Sequence, residues 1–139
     1  MAPPTTTGTS PVPRTAQRGI TIRGCTHEVA RARRFVTRIL GPDHPGTEVA
    51  VLLTSELVTN AVLHSDSRGG GSVRVAITQL AGWLRVEVTD AGSARSTPEV
   101  KDTGCVSNGH GLFLVNALAQ AWGYYARKGQ TTVWFSLTW

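Results

Sequence analysis

Cysteine is scarce in this chain. Cys25 and Cys105 are the only two in 139 residues, and no C-x-x-C pair occurs, so neither a disulfide framework nor a cysteine-rich zinc cluster can be built. Long apolar runs are missing as well, and nothing approaches the ~20 residues that a membrane helix needs. The opening stretch from Met1 to Thr7 lacks the basic and apolar segments of a secretory signal. Acidic residues are few, nine against fourteen basic ones, which leaves a net charge of +5 and a pI near 10.0. These gaps exclude a disulfide-stapled secreted scaffold and a membrane span, and they favour a soluble protein of the reducing cytoplasm. Twelve of the fourteen basic residues are arginine. That excess suits an acidic protein partner or a polyanion, and equally an ordinary solvated basic face.

What is present is enough for one domain with a real core. Hydrophobic residues make up 40% of the chain and charged residues 17%, and at this length folding hides roughly 70% of the unfolded surface. Residues 1–17 hold four prolines, five threonines and almost nothing apolar, so a flexible tail is expected there. Ile20 and Ile22 alternate with Thr21 and Arg23, a short half-buried strand. Thr26 is placed to cap a helix from about His27 to Leu40, which Gly41-Pro42 ends. A second helix is expected from Thr47 to about His64, with Val49, Leu53 and Leu57 at four-residue steps. Ser65 through Gly71 breaks the chain. Val73, Val75 and Ile77, then Leu84, Val86 and Val88 after Ala81-Gly82, mark an antiparallel hairpin. Residues 91–109 show no periodicity, which suits a functional lid. A third helix fits Leu112 to about Ala121, followed by strands over about Tyr124–Lys128 and Thr131–Trp139. Helices covering one face of a mostly antiparallel sheet are the economical packing for this order, an α+β two-layer sandwich.

Three short motifs can carry chemistry. In Glu56-Leu-Val-Thr-Asn60, the carboxylate and the amide lie four residues apart on one helix face, about 6 Å along the axis. They border the apolar stripe, and together they can hold Mg²⁺ and polarise a hydroxyl. In Val88-Thr-Asp90-Ala-Gly92, a carboxylate closes a strand where it can accept a hydrogen bond from an exocyclic amine such as adenine's. The glycine two positions on lets a flat ring approach the backbone. In Asn108-Gly109-His110-Gly111-Leu112, a Gly-x-Gly opens a helix and leaves backbone N–H groups for an anion, with phosphate the natural guest. Each alone also suits a bland surface pair, a turn or a tight helix entry.

Their order along the chain is more specific than any one of them. The asparagine-bearing helix, the Asp-x-Gly after a strand, the long loop, the Gly-x-Gly-Leu into a helix and the terminal Gly-Gln-Thr-Thr strand resemble the Bergerat-type ATP-binding fold. That fold is shared by gyrase, heat-shock chaperone, histidine kinase and MutL ATPases. The compact form, with Glu-Leu-Val-Thr-Asn-Ala-Val-Leu-His and Gly-His-Gly-Leu-Phe-Leu-Val, looks most like bacterial anti-sigma-factor serine/threonine kinases, over about Arg18 to Trp139. The resemblance implies ATP and Mg²⁺ as cofactors, with Asn60 holding the metal and Glu56 acting as general base. It implies that Asp90 reads adenine beside Gly92, and that Gly109, His110, Gly111 and Leu112 wrap the phosphates. A threonine of the last strand would touch adenine. Thr131 shares strand parity with Val133 and Phe135 and is preferred to Thr132.

The same resemblance implies a sigma factor or an anti-anti-sigma-like regulatory protein as partner, phosphorylation that switches partners, and dimers in many relatives. A nucleotide-gated module that binds ATP without transferring phosphate is the alternative reading. Arg31, Arg34 and Arg38 form a separate basic row on the first helix. No base-reading motif accompanies them, which argues against nucleic acid and for an acidic protein surface or a plain solvated face.

Overall fold

The computed structural model describes residues 17–64, 71–90 and 107–139, with the backbone alone at residues 64 and 107–112. Gln17–Arg23 form the first strand, β1, and a single 3-10 turn over Thr26–Glu28 leads into helix α1, Val29–Leu40. Helix α2 spans Thr47–His64. Strands β2, Ser72–Leu80, and β3, Trp83–Asp90, form a hairpin around Ala81 and Gly82. Helix α3 covers Ser107–Leu118, and a second hairpin follows, β4 over Ala121–Arg127 and β5 over Gln130–Thr138.

All strand pairs are antiparallel, in the order β1-β2-β3-β5-β4. Strict alternation explains the layering. Val75, Val86 and Phe135 turn to one face and are fully buried there with Ala32, Val36 and Leu53 of the helices. Strand β3 stands at the centre of the sheet, between β2 and β5, and α2 lies across β3 and β2. Helix α1 lies toward the β1 edge and α3 toward the β4 edge. The second hairpin turns on Lys128 and Gly129, both with positive φ, 53° and 79°, the backbone that a two-residue turn needs to match strand twist.

The α+β two-layer architecture is as the sequence implies, and several boundaries differ. β1 begins at Gln17, so the expected tail is shorter by a residue, and residues 1–16 lie outside the described ones. Thr26 does not cap α1 but sits inside the 3-10 turn, whose flanking Cys25 makes no side-chain cap. Helix α3 starts at Ser107 rather than Leu112, so residues 107–109 are helical. The first four N–H groups of a helix have no partner within it, so glycines in its first turn forfeit little. The helix ends at Leu118 rather than near Ala121, because Trp122 is needed by the sheet. It packs into the core as part of β4, and its indole Nε1 donates to Asn116 Oδ1 at 3.0 Å. The remainder of the expected lid, residues 91–106, lies outside the described residues.

The entry to α1 is held electrostatically. Glu28 accepts the Arg23 backbone N–H at 3.1 Å and pairs with Arg31 at 3.5 Å. That backbone hydrogen bond, helped by the charges of Arg31 and His27, holds the Glu28 carboxyl below its ordinary 4.5. A carboxylate with a depressed folded-state pKa stabilises the fold above its unfolded pKa and loses that contribution as pH falls through the folded value. Glu28→Gln is therefore expected to be less stable than the wild type at pH 7, with the gap closing as pH drops through and below 4.5. Denaturant midpoints at neutral and strongly acidic pH measure this, and a gap that persists in acid contradicts it.

Candidate functional site

Topology brings the three sequence motifs to one end of the molecule. Helix α2 begins beside the start of β3: a Cβ on Gly46, just before α2, would touch Leu84 Cδ2 at 3.4 Å. In the same connection the His44 ring stands edge-on to Trp139 at 4.4 Å, and Trp139 is bound by its N–H to the Gly82 carbonyl. From that start α2 runs along β3 toward Asp90, so its C-terminal half and the C-terminal end of β3 meet at the same edge. Glu56 and Asn60 lie in that half. Both are partly buried, next to the fully buried Leu53 and Leu57, as their position beside the apolar stripe requires.

Asp90 is the last residue of β3 and only 9% exposed. The register places Thr131 directly opposite it on β5. Both share parity with Val88 and Val133, so both face the helix layer. Thr131 thus has the helix-facing parity that the sequence assigns it. Thr132 faces the other way, where its hydroxyl lies 2.7 Å from that of Thr89.

The third motif opens α3. The helix is joined to β4 by Ala119 and Gln120, with Gln120 N–H bound to the Ser136 carbonyl. Its C-terminus thus stands at the far end of β5, and it runs back with its N-terminus toward the Thr131 end. Gly109, His110, Gly111 and Leu112 fall in its first two turns. A helix N-terminus aimed at this edge presents unpaired N–H groups and the positive end of a dipole. The side chains of His110 and Leu112 are not described, and Gly92 lies outside the described residues.

The basic row is elsewhere. Arg31, Arg33, Arg34 and Arg38 are all exposed on α1, on the β1 side and away from the edge where α2, β3 and β5 converge. The Arg38 guanidinium lies 6.0 Å from the centre of the Phe35 ring. Among the described residues no group of three or more His, Cys, Asp or Glu is arranged for a metal. Cys25 Sγ and His27 Nε2 are 3.5 Å apart. No described helix is long and apolar enough to cross a membrane.

Sequence reasoning passed over a polar network on the reverse face of the sheet, behind Asp90. Besides the Thr89–Thr132 contact, the Tyr125 hydroxyl donates to Glu87 Oε1 at 3.3 Å and Gln17 Nε2 donates to Glu87 Oε2 at 3.5 Å. The Arg85 guanidinium lies 3.9 Å from the Trp134 ring centre. Burial pushes the Tyr125 phenol above its ordinary value, Glu87 adds to the rise, and a hydrogen bond with Thr132 works against it. The shared parity of Glu87, Thr89 and Thr132 was the available signal, but alternating polar residues also describe a plain solvated face.

The comparisons agree with this layout. The family model for the histidine kinase-like ATPase domain matches residues 25–137. Among solved structures, the chain is similar to the RsbU and RsbW domains of Rv1364c from Mycobacterium tuberculosis. The sequences are 24% identical, the TM-score is 0.63, and the match covers 88% of this chain and 32% of that one. The chain thus spans about a third of that protein, and the likeness is one of fold. No curated protein matches it in sequence. With a family model covering α1, the Glu56–Asn60 helix, Asp90 and the α3 entry, the chain belongs to the histidine kinase-like ATPase family.

Proposed function

We propose that this protein is an ATP-dependent serine/threonine kinase of the anti-sigma-factor type, acting in the cytoplasm on a small regulatory protein. The observation that carries the reading is the convergence at one edge of two separate polar pairs, Glu56 with Asn60 on α2 and Asp90 with Thr131 across β3 and β5. The N-terminus of α3 points to the same edge. One pair suits the chemistry, the other the base.

In this reading the Asp90 carboxylate accepts from the exocyclic amine of adenine, and Thr131, directly opposite, supports the contact. Burial makes the contact selective, since a base with a carbonyl at that position sets one acceptor oxygen against another. The N-terminus of α3, with Gly109, His110, Gly111 and Leu112 in its first two turns, receives the phosphates through its unpaired N–H groups. Hard oxygen donors on one helix face fit magnesium, so Asn60 would hold the ion with Glu56 beside it. Bound there, the metal neutralises charge on the phosphates. Glu56 takes the proton from the attacking serine or threonine hydroxyl of the protein substrate, and phosphoryl transfer then depends on position and electrostatics rather than on a covalent enzyme intermediate. The acceptor is read as an anti-anti-sigma-like protein, and a sigma factor as the molecule held or released by the switch.

Base recognition is tested at Asp90. Asp90→Asn keeps the shape and turns a donor toward the adenine amine, so ATP affinity should fall by ~1–3 kcal/mol. Calorimetry giving wild-type affinity for the variant would remove Asp90 from the base site.

Binding and chemistry should separate on α2. Glu56→Ala retains nucleotide but slows phosphoryl transfer by roughly 10²–10⁴-fold, the usual worth of a positioned general base. Asn60→Ala weakens Mg-ATP and lowers activity together. The assay is transfer of labelled phosphate to co-purified partner proteins. Full transfer by Glu56→Ala would place the base elsewhere, and wild-type protein that binds ATP yet transfers none would leave a nucleotide-gated binding module.

A further inference from the structure

The Asp90–Thr131 pair lies at the very end of the β3–β5 ladder, where strands fray unless something holds them. Directly behind it, on the opposite face of the sheet, the hydroxyls of Thr89 and Thr132 meet at 2.7 Å. Thr132 is 5% exposed and stands directly opposite Tyr125 of β4 in the register, and its side chain works to lower the Tyr125 pKa, as a hydroxyl donating toward the phenol oxygen does. Tyr125 donates in turn to Glu87 Oε1. The carboxylate fixes the direction of the whole chain. Because Glu87 only accepts, the Tyr125 hydroxyl donates to it and accepts from Thr132. Thr132 has then spent its proton and accepts from Thr89. Thr132 and Tyr125 each donate and accept, and aligned bonds of this kind strengthen one another. The chain ties β3 to β5 and β5 to β4 one residue behind the pair that faces the nucleotide edge.

We propose that the Thr89–Thr132–Tyr125 chain, anchored on Glu87, positions Asp90 and Thr131 for reading the base. These are positioning residues. They face away from the site and act by fixing the angle at which two strand ends present their side chains. This inference rests on the reading of Asp90 as the adenine acceptor and adds to it the groups that hold that acceptor in place.

The test compares ATP with ITP, whose base carries a carbonyl where adenine has its amine. Thr132→Val keeps the shape of the side chain and breaks the chain at its middle. It should weaken ATP by about tenfold, the worth of one to two net hydrogen bonds, and leave ITP nearly unchanged, so that the preference for ATP collapses. Thr132→Ser restores the hydroxyl and should restore the preference. Tyr125→Phe, which removes the link to Glu87, should show the same selective loss in smaller degree, and it serves as the second variant if Thr132→Val fails to fold. Equal weakening of ATP and ITP, or failure of Thr132→Ser to rescue, would overturn the proposal by showing general damage to the sheet. Wild-type discrimination in both Thr132→Val and Tyr125→Phe would overturn it as well. If wild-type protein binds ATP and ITP equally and Asp90→Asn changes neither, the base reading itself has failed, a result distinct from failure of the hydroxyl chain.

Discussion

A slip of one residue between β3 and β5 would turn Asp90 to the reverse face and carry it away from α2, because side chains alternate along a strand. Everything proposed for this edge depends on that register. On the helix side it is fixed by three apolar pairs, Leu84 with Leu137, Val86 with Phe135 and Val88 with Val133. A slipped pairing would bring these residues opposite polar ones and expose the best-buried part of the core. On the reverse side it is fixed by Thr89 with Thr132 and by Arg85, whose guanidinium lies over Trp134. Apolar burial selects the correct face, whereas the polar contacts select the correct partner.

A second constraint sets how far along the sheet α2 lies. The connection from α1 is tightly bonded: Gly41 N–H closes α1 onto Thr37, the Thr47 hydroxyl donates to the Gly41 carbonyl at 2.6 Å, and His44 Nδ1 accepts the Gly46 N–H. Trp139 packs against that same His44 ring. The first turn of α2 is thereby pinned to the β2–β3 hairpin and to the chain's last residue. An α-helix is stiff, so pinning its start also fixes the level of Glu56 and Asn60, two and three turns later. The groups at the reactive edge owe their placement to contacts at the opposite edge.

Much of this was legible in the sequence. Apolar spacing gives α1 and α2, and strand parity separates Thr131 from Thr132. The first residues of α3 were not legible because Ser107 to Gly111 carry no apolar period, and glycine lowers helix propensity. Trp122 and Gly123 read as the end of a helix because the pairing that claims them is with β5, a non-local contact that periodicity does not register. The reverse-face network was hidden for another reason. Glu87, Thr89, Thr132 and Tyr125 occupy the positions that a half-buried strand normally gives to water. Only the register shows that they meet one another.

The two polar pairs at the edge rest on different supports. Asp90 and Thr131 are held by cross-strand bonds, so their precision is that of the sheet. Glu56 and Asn60 are held by the burial of Leu53, Leu57 and Ala61 against the core, so their precision is that of helix-on-sheet packing. The two pairs thus draw on different contacts, and changes that share no partner act additively. A substitution in the α2 stripe should therefore alter the chemistry at constant base preference, and one in the hydroxyl chain should alter base preference at constant chemistry. In the proposed site, a division of this kind would let the sheet keep one base while the helix side is adjusted independently, because the two rest on separate packing contacts.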